Sequence, residues 1–171
     1  MALVGLPASG KSSVGRILAG LLGLEFRDSD GLVEAGAGMG VAAIFEAEGE
    51  AAFRRREARA LVEAAEGPPL VLATGGGIVL STANRELLGR RFETVWLRLD
   101  PAVAAARAAL APGSRPLLAQ GDPAARMRAL AQAREPLYAE VADLVVEAGE
   151  GSPEEIARDI AGGIARAIAE P

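Results

Sequence analysis

The chain contains 171 residues, a length typical of a single domain, and half of them are apolar. It has neither cysteine nor histidine, which excludes disulfides, thiolate metal sites and a histidine base, so we expect any general base to be a carboxylate. A formal net charge of −5 argues against a broad nucleic-acid surface, and the apolar runs fall short of the roughly 18 residues that cross a bilayer. With no recognisable secretory signal, we expect a cytoplasmic protein that binds small molecules and neither nucleic acid nor membrane.

The first predicted elements are a strand and a helix joined by a glycine-rich turn. Residues 1–4 are apolar, and apolar residues recur at helical spacing between Ser12 and Leu22. The turn between them reads Gly5-Leu6-Pro7-Ala8-Ser9-Gly10-Lys11-Ser12. In a phosphate-binding loop of this pattern, backbone N–H groups and the lysine contact phosphates, and the serine hydroxyl holds Mg²⁺. Lys11 is the only lysine among 18 basic residues, which indicates that a compact ammonium is needed there. A glycine-rich turn without a ligand is the disfavoured alternative.

Two aspartates follow the first helix. Asp28 and Asp30 lie two residues apart, and in an extended segment such residues point to the same side. A kinase with this loop needs one carboxylate near Mg²⁺, directly or through water, and another group that orients or deprotonates the attacking hydroxyl. We therefore expect the two aspartates to divide these roles. The alternative is an Asp-Ser-Asp turn that caps the next helix.

Three consecutive arginines, Arg54, Arg55 and Arg56, lie on a helix predicted over residues 42–65. Successive helical residues point about 100° apart, so at most two of the three can face one pocket. An arginine in a pocket favours a bidentate partner such as the carboxylate of a substrate. A solvated helix face with Glu–Arg pairs is the alternative for at least one of them.

The rest of the chain alternates apolar runs with helical stretches. Further strands are predicted over residues 70–73, 94–99 and 143–146, and helices over residues 102–109, 124–135 and 153–169. This alternation predicts an α/β fold with a parallel sheet covered on both faces, whose ligand-binding loops follow the strands. Three glycines, residues 75–77, follow one strand, where bare backbone N–H groups can approach an anion; a tight turn is the alternative. Residues 110–124 are rich in turn residues and are predicted to form a lid.

In their order along the chain, these motifs resemble those of the shikimate kinases. The resemblance extends from Gly5 to about Pro153, and the ordered set is more specific than any single motif. The set is Gly-Leu-Pro-x-Ser-Gly-Lys-Ser, Asp-Ser-Asp, Ile-Phe-x-x-x-Gly-Glu-x-x-Phe-Arg, Gly-Gly-Gly, Arg-Pro-Leu-Leu and Arg-x-Pro-Leu-Tyr.

The resemblance implies a three-layer P-loop fold of the nucleoside-monophosphate-kinase type, with a five-stranded parallel sheet in the order 2-3-1-4-5 flanked by helices. It implies one domain over residues 1–171, with a substrate-binding region near residues 30–60 and the lid near residues 110–124. The implied activity is transfer of the γ-phosphoryl of ATP to the 3-hydroxyl of shikimate, with Mg²⁺, in aromatic amino-acid biosynthesis. ATP and shikimate are the implied partners, and we expect a monomer.

The resemblance also implies a role for each site residue. Asp30 is implied to bind the substrate hydroxyl as the candidate base, and Lys11 and Arg115 to stabilise the transferred phosphoryl group. Ser12 and Asp28 are the implied Mg²⁺ ligands, Asp28 through water. Arg54 and Arg134 are implied to bind the shikimate carboxylate, helped by backbone groups at Gly75, Gly76 and Gly77. The implied nucleotide contacts are Gly5, Ala8, Ser9, Gly10, Lys11, Ser12, Ser13, Arg107, Arg115 and Pro153, of which Arg107 and Pro153 flank the adenine.

Three positions depart from the family pattern. Ala8 replaces a common glycine, and we expect an ordinary backbone conformation there. Ser13 replaces a threonine, and Gly40 stands where a serine often caps a helix, with an expected loss of roughly a few tenths of a kcal/mol. Two other functions stay open at this point. One is a related small-molecule kinase, for example for gluconate, and the other is a nucleotide-binding regulatory module that has lost catalysis.

Overall fold

Strands and helices alternate along the chain in a computed structural model that describes residues 1–110 and 122–169, with side chains to residue 164. The strands are β1 (Ala2–Val4), β2 (Glu25–Asp28), β3 (Leu70–Ala73), β4 (Thr94–Arg98) and β5 (Leu144–Glu147). The helices are α1 (Lys11–Leu22), α2 (Ser29–Ala37), α3 (Val41–Glu66), α4 (Thr82–Arg91), α5 (Pro101–Ala109), α6 (Pro123–Val141) and α7 (Pro153–Ala169), and a 3₁₀ helix spans Ile78–Leu80. Within these described ranges, no helix is both long and apolar enough to cross a membrane.

The strands form one parallel sheet in the order β2-β3-β1-β4-β5, which confirms the predicted fold. The central strand β1 pairs with β3, where Leu3 lies opposite Ala73, and with β4, where Leu3 lies opposite Val95. Because the strands run in one direction, the loops that follow β1 and β3 emerge side by side at the same edge of the sheet. These two loops carry the phosphate-binding pattern and the three glycines.

Alternate residues of the central strands pack into apolar layers on opposite faces of the sheet. Leu72 of β3 belongs to a layer with Tyr138 of α6, whereas its neighbour Val71 packs in a layer with Leu18 of α1 and Ile160 of α7. Helices therefore cover both faces, as the three-layer prediction requires. The first layer also reaches α3 and α4, which places these helices on the same face of the sheet as α6.

A smaller apolar cluster joins α2 to α3 within residues 30–60, the region predicted to bind the substrate. Its buried members are Val33, Ile44, Phe53 and Ala60. The helix predicted over residues 42–65 is confirmed as α3, but Gly49, with φ 80° and ψ 170°, breaks it and separates residues 41–48 from 50–66. The rings of Phe45 and Phe53 lie 4.8 Å apart, one on each side of this break.

Two helices, α2 and α4, are absent from the sequence prediction, and α6 is longer than predicted. Glycines at positions 31 and 36 obscure the apolar period of α2, and α4 is polar along most of its length. The predicted end of α6 at Glu135 is wrong, because the helix continues through Pro136 to Val141. The burial of Tyr138 and Val141 in the core stabilises this last part against the unfavourable proline.

Gly40 caps α3 without a side chain of its own, as the sequence predicts. The N–H group of Val41 instead donates to Oε1 of Glu34 at 2.9 Å, from the last turn of α2. Glu34 therefore satisfies one of the free N–H groups at the start of α3 and offsets part of the expected loss.

Candidate active site

Lys11 begins α1 directly after the phosphate-binding loop, and only 8% of it is exposed. Its ammonium donates to the carbonyl oxygens of Gly5 at 3.0 Å and Leu6 at 2.7 Å, and to the hydroxyl of Ser9 at 3.1 Å. An ammonium matches these close acceptors because its three N–H bonds radiate from one nitrogen, whereas a guanidinium is planar and wider. The N-terminus of α1 adds free N–H groups and partial positive charge, both of which favour phosphate.

Ala8, in the same loop, has a φ of 63° and is the only non-glycine residue with positive φ in the described part of the chain. The expectation of an ordinary backbone conformation at this position is therefore wrong. The loop keeps its left-handed turn although a Cβ is present, and this conformation costs an L-residue roughly 1–2 kcal/mol.

We predict that Ala8→Gly raises the free energy of unfolding by about 0.5–1 kcal/mol, because glycine adopts positive φ without a Cβ clash. Urea denaturation measures the change. The matched control is Ala106→Gly on the exposed face of α5, where the same replacement lowers stability by about 0.5–1 kcal/mol. Equal destabilisation at the two positions would show that Ala8 is not strained.

Asp28 and Asp30 both line the cleft, but not for the predicted reason. The extended segment ends at Asp28, and Asp30 lies in the first turn of α2. Asp28 caps that helix by accepting the N–H of Asp30 at 3.1 Å through Oδ1, so the alternative of a capping turn is also correct. Its other oxygen, Oδ2, accepts the hydroxyl of Ser12 at 2.6 Å.

Ser12 and Asp28 together offer a hydroxyl and a carboxylate, the hard oxygen donors that suit Mg²⁺. Among the described residues, no three His, Cys, Asp or Glu side chains cluster closely enough to hold a metal on their own. Magnesium in proteins usually takes one or two carboxylates and its other ligands from phosphates and water. The two residues present therefore fit the predicted metal.

Two arginines reach the cleft from different helices. Arg54 of α3 and Arg134 of α6 both line it, and Arg134 is buried. Arg55 points to solvent, and Arg56 pairs with Glu48 at 2.9 Å. The expectation that at most two of the three consecutive arginines face one pocket is therefore confirmed, and Arg54 is the one that lines the cleft.

The glycines after β3 pack closely against charged side chains of the cleft. A Cβ at Gly75 would lie 2.5 Å from Oε1 of Glu57, and a Cβ at Gly77 would lie 2.4 Å from Nη1 of Arg54. Neither distance is possible for a real Cβ, so a side chain at either position would displace the carboxylate of Glu57 or the guanidinium of Arg54 from its present place. The N–H of Gly75 donates to the hydroxyl of Ser29 at 2.8 Å, which ties the loop to the start of α2.

These groups surround one cleft of about 400 Å³, within the range of small-ligand sites. Residues of the glycine-rich loop line it together with Asp30, the two arginines and the three glycines. Its apolar wall consists of Val41, Phe45, Phe53 and Leu130. The cleft can therefore bring a phosphate-bearing ligand and a small anionic ligand together.

Comparison with known proteins decides between the related families. The family model for shikimate kinase matches residues 7–165. The shikimate kinase of Symbiobacterium thermophilum is 49% identical over 92% of this chain and 91% of its own length. A structure described as the shikimate kinase from Acinetobacter baumannii in complex with shikimate has a TM-score of 0.93 and 41% identity, over 96% of this chain and 92% of that one.

The chain belongs to the shikimate kinase family. A gluconokinase from Sinorhizobium meliloti has a TM-score of 0.58 at 22% identity, covering 96% of this chain and 90% of that one, which shows only that the fold is shared. The family model and the curated relative thus favour shikimate kinase over the gluconate alternative.

The sequence prediction misses one charged residue that lines the cleft, Glu57. Only 1% of it is exposed, and Oε2 accepts a hydrogen bond from Nη1 of Arg54 at 2.8 Å. Burial raises the pKa of the Glu57 carboxyl above its ordinary value. Asp30 adds to this rise, whereas Arg54 and Arg134 oppose it. Oε1 is buried and has no hydrogen-bond partner among the described residues. The available signal is the acid three residues after Arg54, on the same helix face.

Of the two implied contacts with the nucleotide base, Arg107 lines the cleft and Pro153 is not among its lining residues. Arg107 lines the cleft and donates to the carbonyl oxygen of Gly149 at 3.2 Å, in the loop before α7. Pro153 is exposed at the first position of α7. Arg115 and most of the predicted lid, residues 111–121, lie outside the described residues, so the roles that the family implies for them stay predictions.

Proposed function

We propose that this protein transfers the γ-phosphoryl group of ATP to the 3-hydroxyl of shikimate, giving shikimate 3-phosphate and ADP. The observation that carries the proposal is one cleft in which a phosphate-binding loop with Lys11 meets two arginines and Asp30. Shikimate has a carboxylate and hydroxyl groups, which these two kinds of residue can bind. Membership in the shikimate kinase family supports the same conclusion.

The acceptor is held by charge-assisted hydrogen bonds. Arg54 and Arg134 bind the carboxylate of shikimate, and the backbone at residues 75–77 approaches the same ligand. Asp30 accepts a hydrogen bond from the 3-hydroxyl and so fixes the direction of the attacking oxygen. Binding in this way places the acceptor for in-line attack without loss of further translational freedom.

In the transfer step, the 3-hydroxyl oxygen bonds to the γ-phosphorus, and the bond to the bridging β–γ oxygen breaks, releasing ADP. Asp30 takes the proton of the hydroxyl. Lys11 and the N–H groups at the start of α1 stabilise the negative charge on the phosphoryl oxygens, which is the main catalytic contribution in reactions of this type. Arg115 adds to that stabilisation, as the family pattern implies.

Ser12 and Asp28 would hold Mg²⁺ beside the phosphates, Asp28 through water. The ion, when bound, neutralises charge on the β- and γ-phosphates. The hydrogen bond between Ser12 and Asp28 already keeps both oxygens on the same side of the loop. We further propose that Arg107 and Pro153 flank the adenine, and that the protein acts as a cytoplasmic monomer.

A panel assay tests the proposed function directly. ADP release is followed with ATP and Mg²⁺ and with shikimate, gluconate or a nucleoside monophosphate as acceptor. We expect turnover with shikimate as the acceptor and none with gluconate or a nucleoside monophosphate. Turnover with another acceptor would contradict the proposal and indicate a related small-molecule kinase. Binding of ATP without turnover of any acceptor would indicate a nucleotide-binding regulatory module.

We predict that Arg54→Ala raises the KM for shikimate by about 10- to 100-fold and changes the KM for ATP by less than about twofold. The physical reason is that a hydrogen bond to a charged partner contributes about 1.5–3 kcal/mol, and Arg54 lies at the acceptor part of the cleft. The matched control is Arg55→Ala, which removes the exposed neighbouring arginine and should leave both constants unchanged. An unaltered KM for shikimate in Arg54→Ala would show that this arginine does not bind the carboxylate.

A further inference from the structure

Tyr138 connects the helix α6 to the glycine loop at the floor of the cleft. Its ring is fully buried, with 0% exposed, and packs 5.9 Å from the ring of Trp96. Its hydroxyl donates to the carbonyl oxygen of Gly76 at 2.5 Å. A bond between residues 62 positions apart links α6 directly to the loop after β3.

Arg134, one helical turn before Tyr138 on α6, lies beside the same loop. Its positive charge also acts on the phenol of Tyr138. Tyr138 therefore donates to the backbone of the cleft next to a cation that lines the cleft. Burial raises the pKa of Tyr138 to about 12, although Arg134 opposes this, so the hydroxyl keeps its proton at neutral pH and remains a donor to Gly76.

Gly76 lies where the nucleotide side and the acceptor side of the cleft meet. A Cβ at this position would lie 3.3 Å from the carbonyl oxygen of Gly5 in the phosphate-binding loop and 3.4 Å from Nη1 of Arg134. A peptide group is planar and trans, so fixing the carbonyl of Gly76 also fixes the N–H of Gly77, which points the opposite way. The Tyr138 hydroxyl thus holds this peptide group beside the guanidinium of Arg134.

We propose that Tyr138 is a positioning residue for the acceptor site, whose hydroxyl holds the Gly76–Gly77 peptide group, beside Arg134, in the orientation that binds the substrate carboxylate. This inference rests on the proposed function. The ring and the hydroxyl have separate roles: the ring fills the core, and the hydroxyl orients the peptide group. Tyr138 acts through the backbone of the glycine loop.

Tyr138→Phe isolates the hydroxyl, because phenylalanine keeps the ring and its contacts with the core. We expect the KM for shikimate to rise about tenfold, since the carbonyl of Gly76 loses the donor that fixes its orientation. The KM for ATP and kcat should change by less than about threefold. In an Arg134→Ala background the same substitution should raise the shikimate KM less, because the peptide group that the hydroxyl orients lies beside that arginine and both act on the same carboxylate.

The control is Ile160→Val, which removes one methyl group from the apolar layer on the other face of the sheet and should leave the shikimate KM unchanged. Thermal unfolding of both variants separates loss of stability from loss of binding. A Tyr138→Phe protein that is less stable but has the wild-type KM for shikimate would show a purely structural role and overturn the inference. So would an effect that is fully additive with Arg134→Ala. Absence of shikimate turnover by the wild type would instead overturn the proposed function.

Discussion

Replacing Lys11 with arginine is expected to lower kcat by about 10²- to 10³-fold, although the positive charge is kept. The ammonium lies in a confined site, within 3.1 Å of the Gly5 and Leu6 carbonyl oxygens and the Ser9 hydroxyl. A guanidinium cannot place one donor at the centre of these acceptors, because its five N–H groups lie in a plane. We therefore expect it to displace the loop or to remain outside it. In either position it stabilises the transferred phosphoryl group poorly.

A steady-state assay with saturating ATP and shikimate measures this effect, and circular dichroism checks that the variant is folded. Lys11→Met should lose at least as much activity, since it removes the charge as well. The control reverses the exchange at a remote position: Arg27→Lys alters an exposed residue on β2, paired with Glu25, and should leave kcat unchanged. Wild-type kcat in Lys11→Arg would mean that charge alone is required at this position.

The parts of the fold that depend on local patterns can be predicted from the sequence. The phosphate-binding loop is one, because glycines, Lys11 and Ser12 occur at fixed spacing between a short strand and an amphipathic helix. The central strands β3 and β4 are another, since both are short continuous apolar runs. The strand order is not encoded in any such pattern. It follows from the family resemblance, and the structure confirms it.

The parts that depend on distant contacts are the ones the sequence prediction misses or gets wrong. Ala8 has positive φ because the loop around it dictates the turn, against the preference of its own side chain. The helix α6 passes Pro136 because Tyr138 beyond it is buried against Trp96 and bonded to Gly76. Local propensity is a weak guide wherever tertiary packing opposes it.

Asp30 and Glu57 show the same limit within the site. The sequence predicts that Asp30 faces the cleft from an extended segment, whereas in the structure it lies in the first turn of α2. Glu57 appears in the sequence as one acid beside a basic run, and its burial next to Asp30 and Gly75 emerges only from the packing of α2, α3 and the glycine loop. The identities of the site residues can therefore be predicted better than the backbone that places them.

The proton acceptor of the reaction is tested by Asp30→Asn, for which we expect kcat to fall by about 100-fold with a smaller change in the KM for shikimate. Asparagine has nearly the same shape, and its amide oxygen still accepts a hydrogen bond from the 3-hydroxyl, but it cannot take up the proton. Loss of a positioned general base typically costs about 10²- to 10⁴-fold, and a loose phosphoryl-transfer transition state favours the lower end of that range.

The size of the loss separates two roles for Asp30, which lies within the same close cluster as Gly75 and Glu57. Asp159→Asn on the exposed face of α7 is the control for the chemical change and should keep the wild-type kcat. A loss of less than about threefold in Asp30→Asn would contradict proton transfer to this carboxylate and leave it as an orienting group. Catalysis would then depend on the electrostatic contribution of Lys11 and the start of α1, and Lys11→Arg should still show its full effect, because the two variants act on opposite ends of the bond that forms.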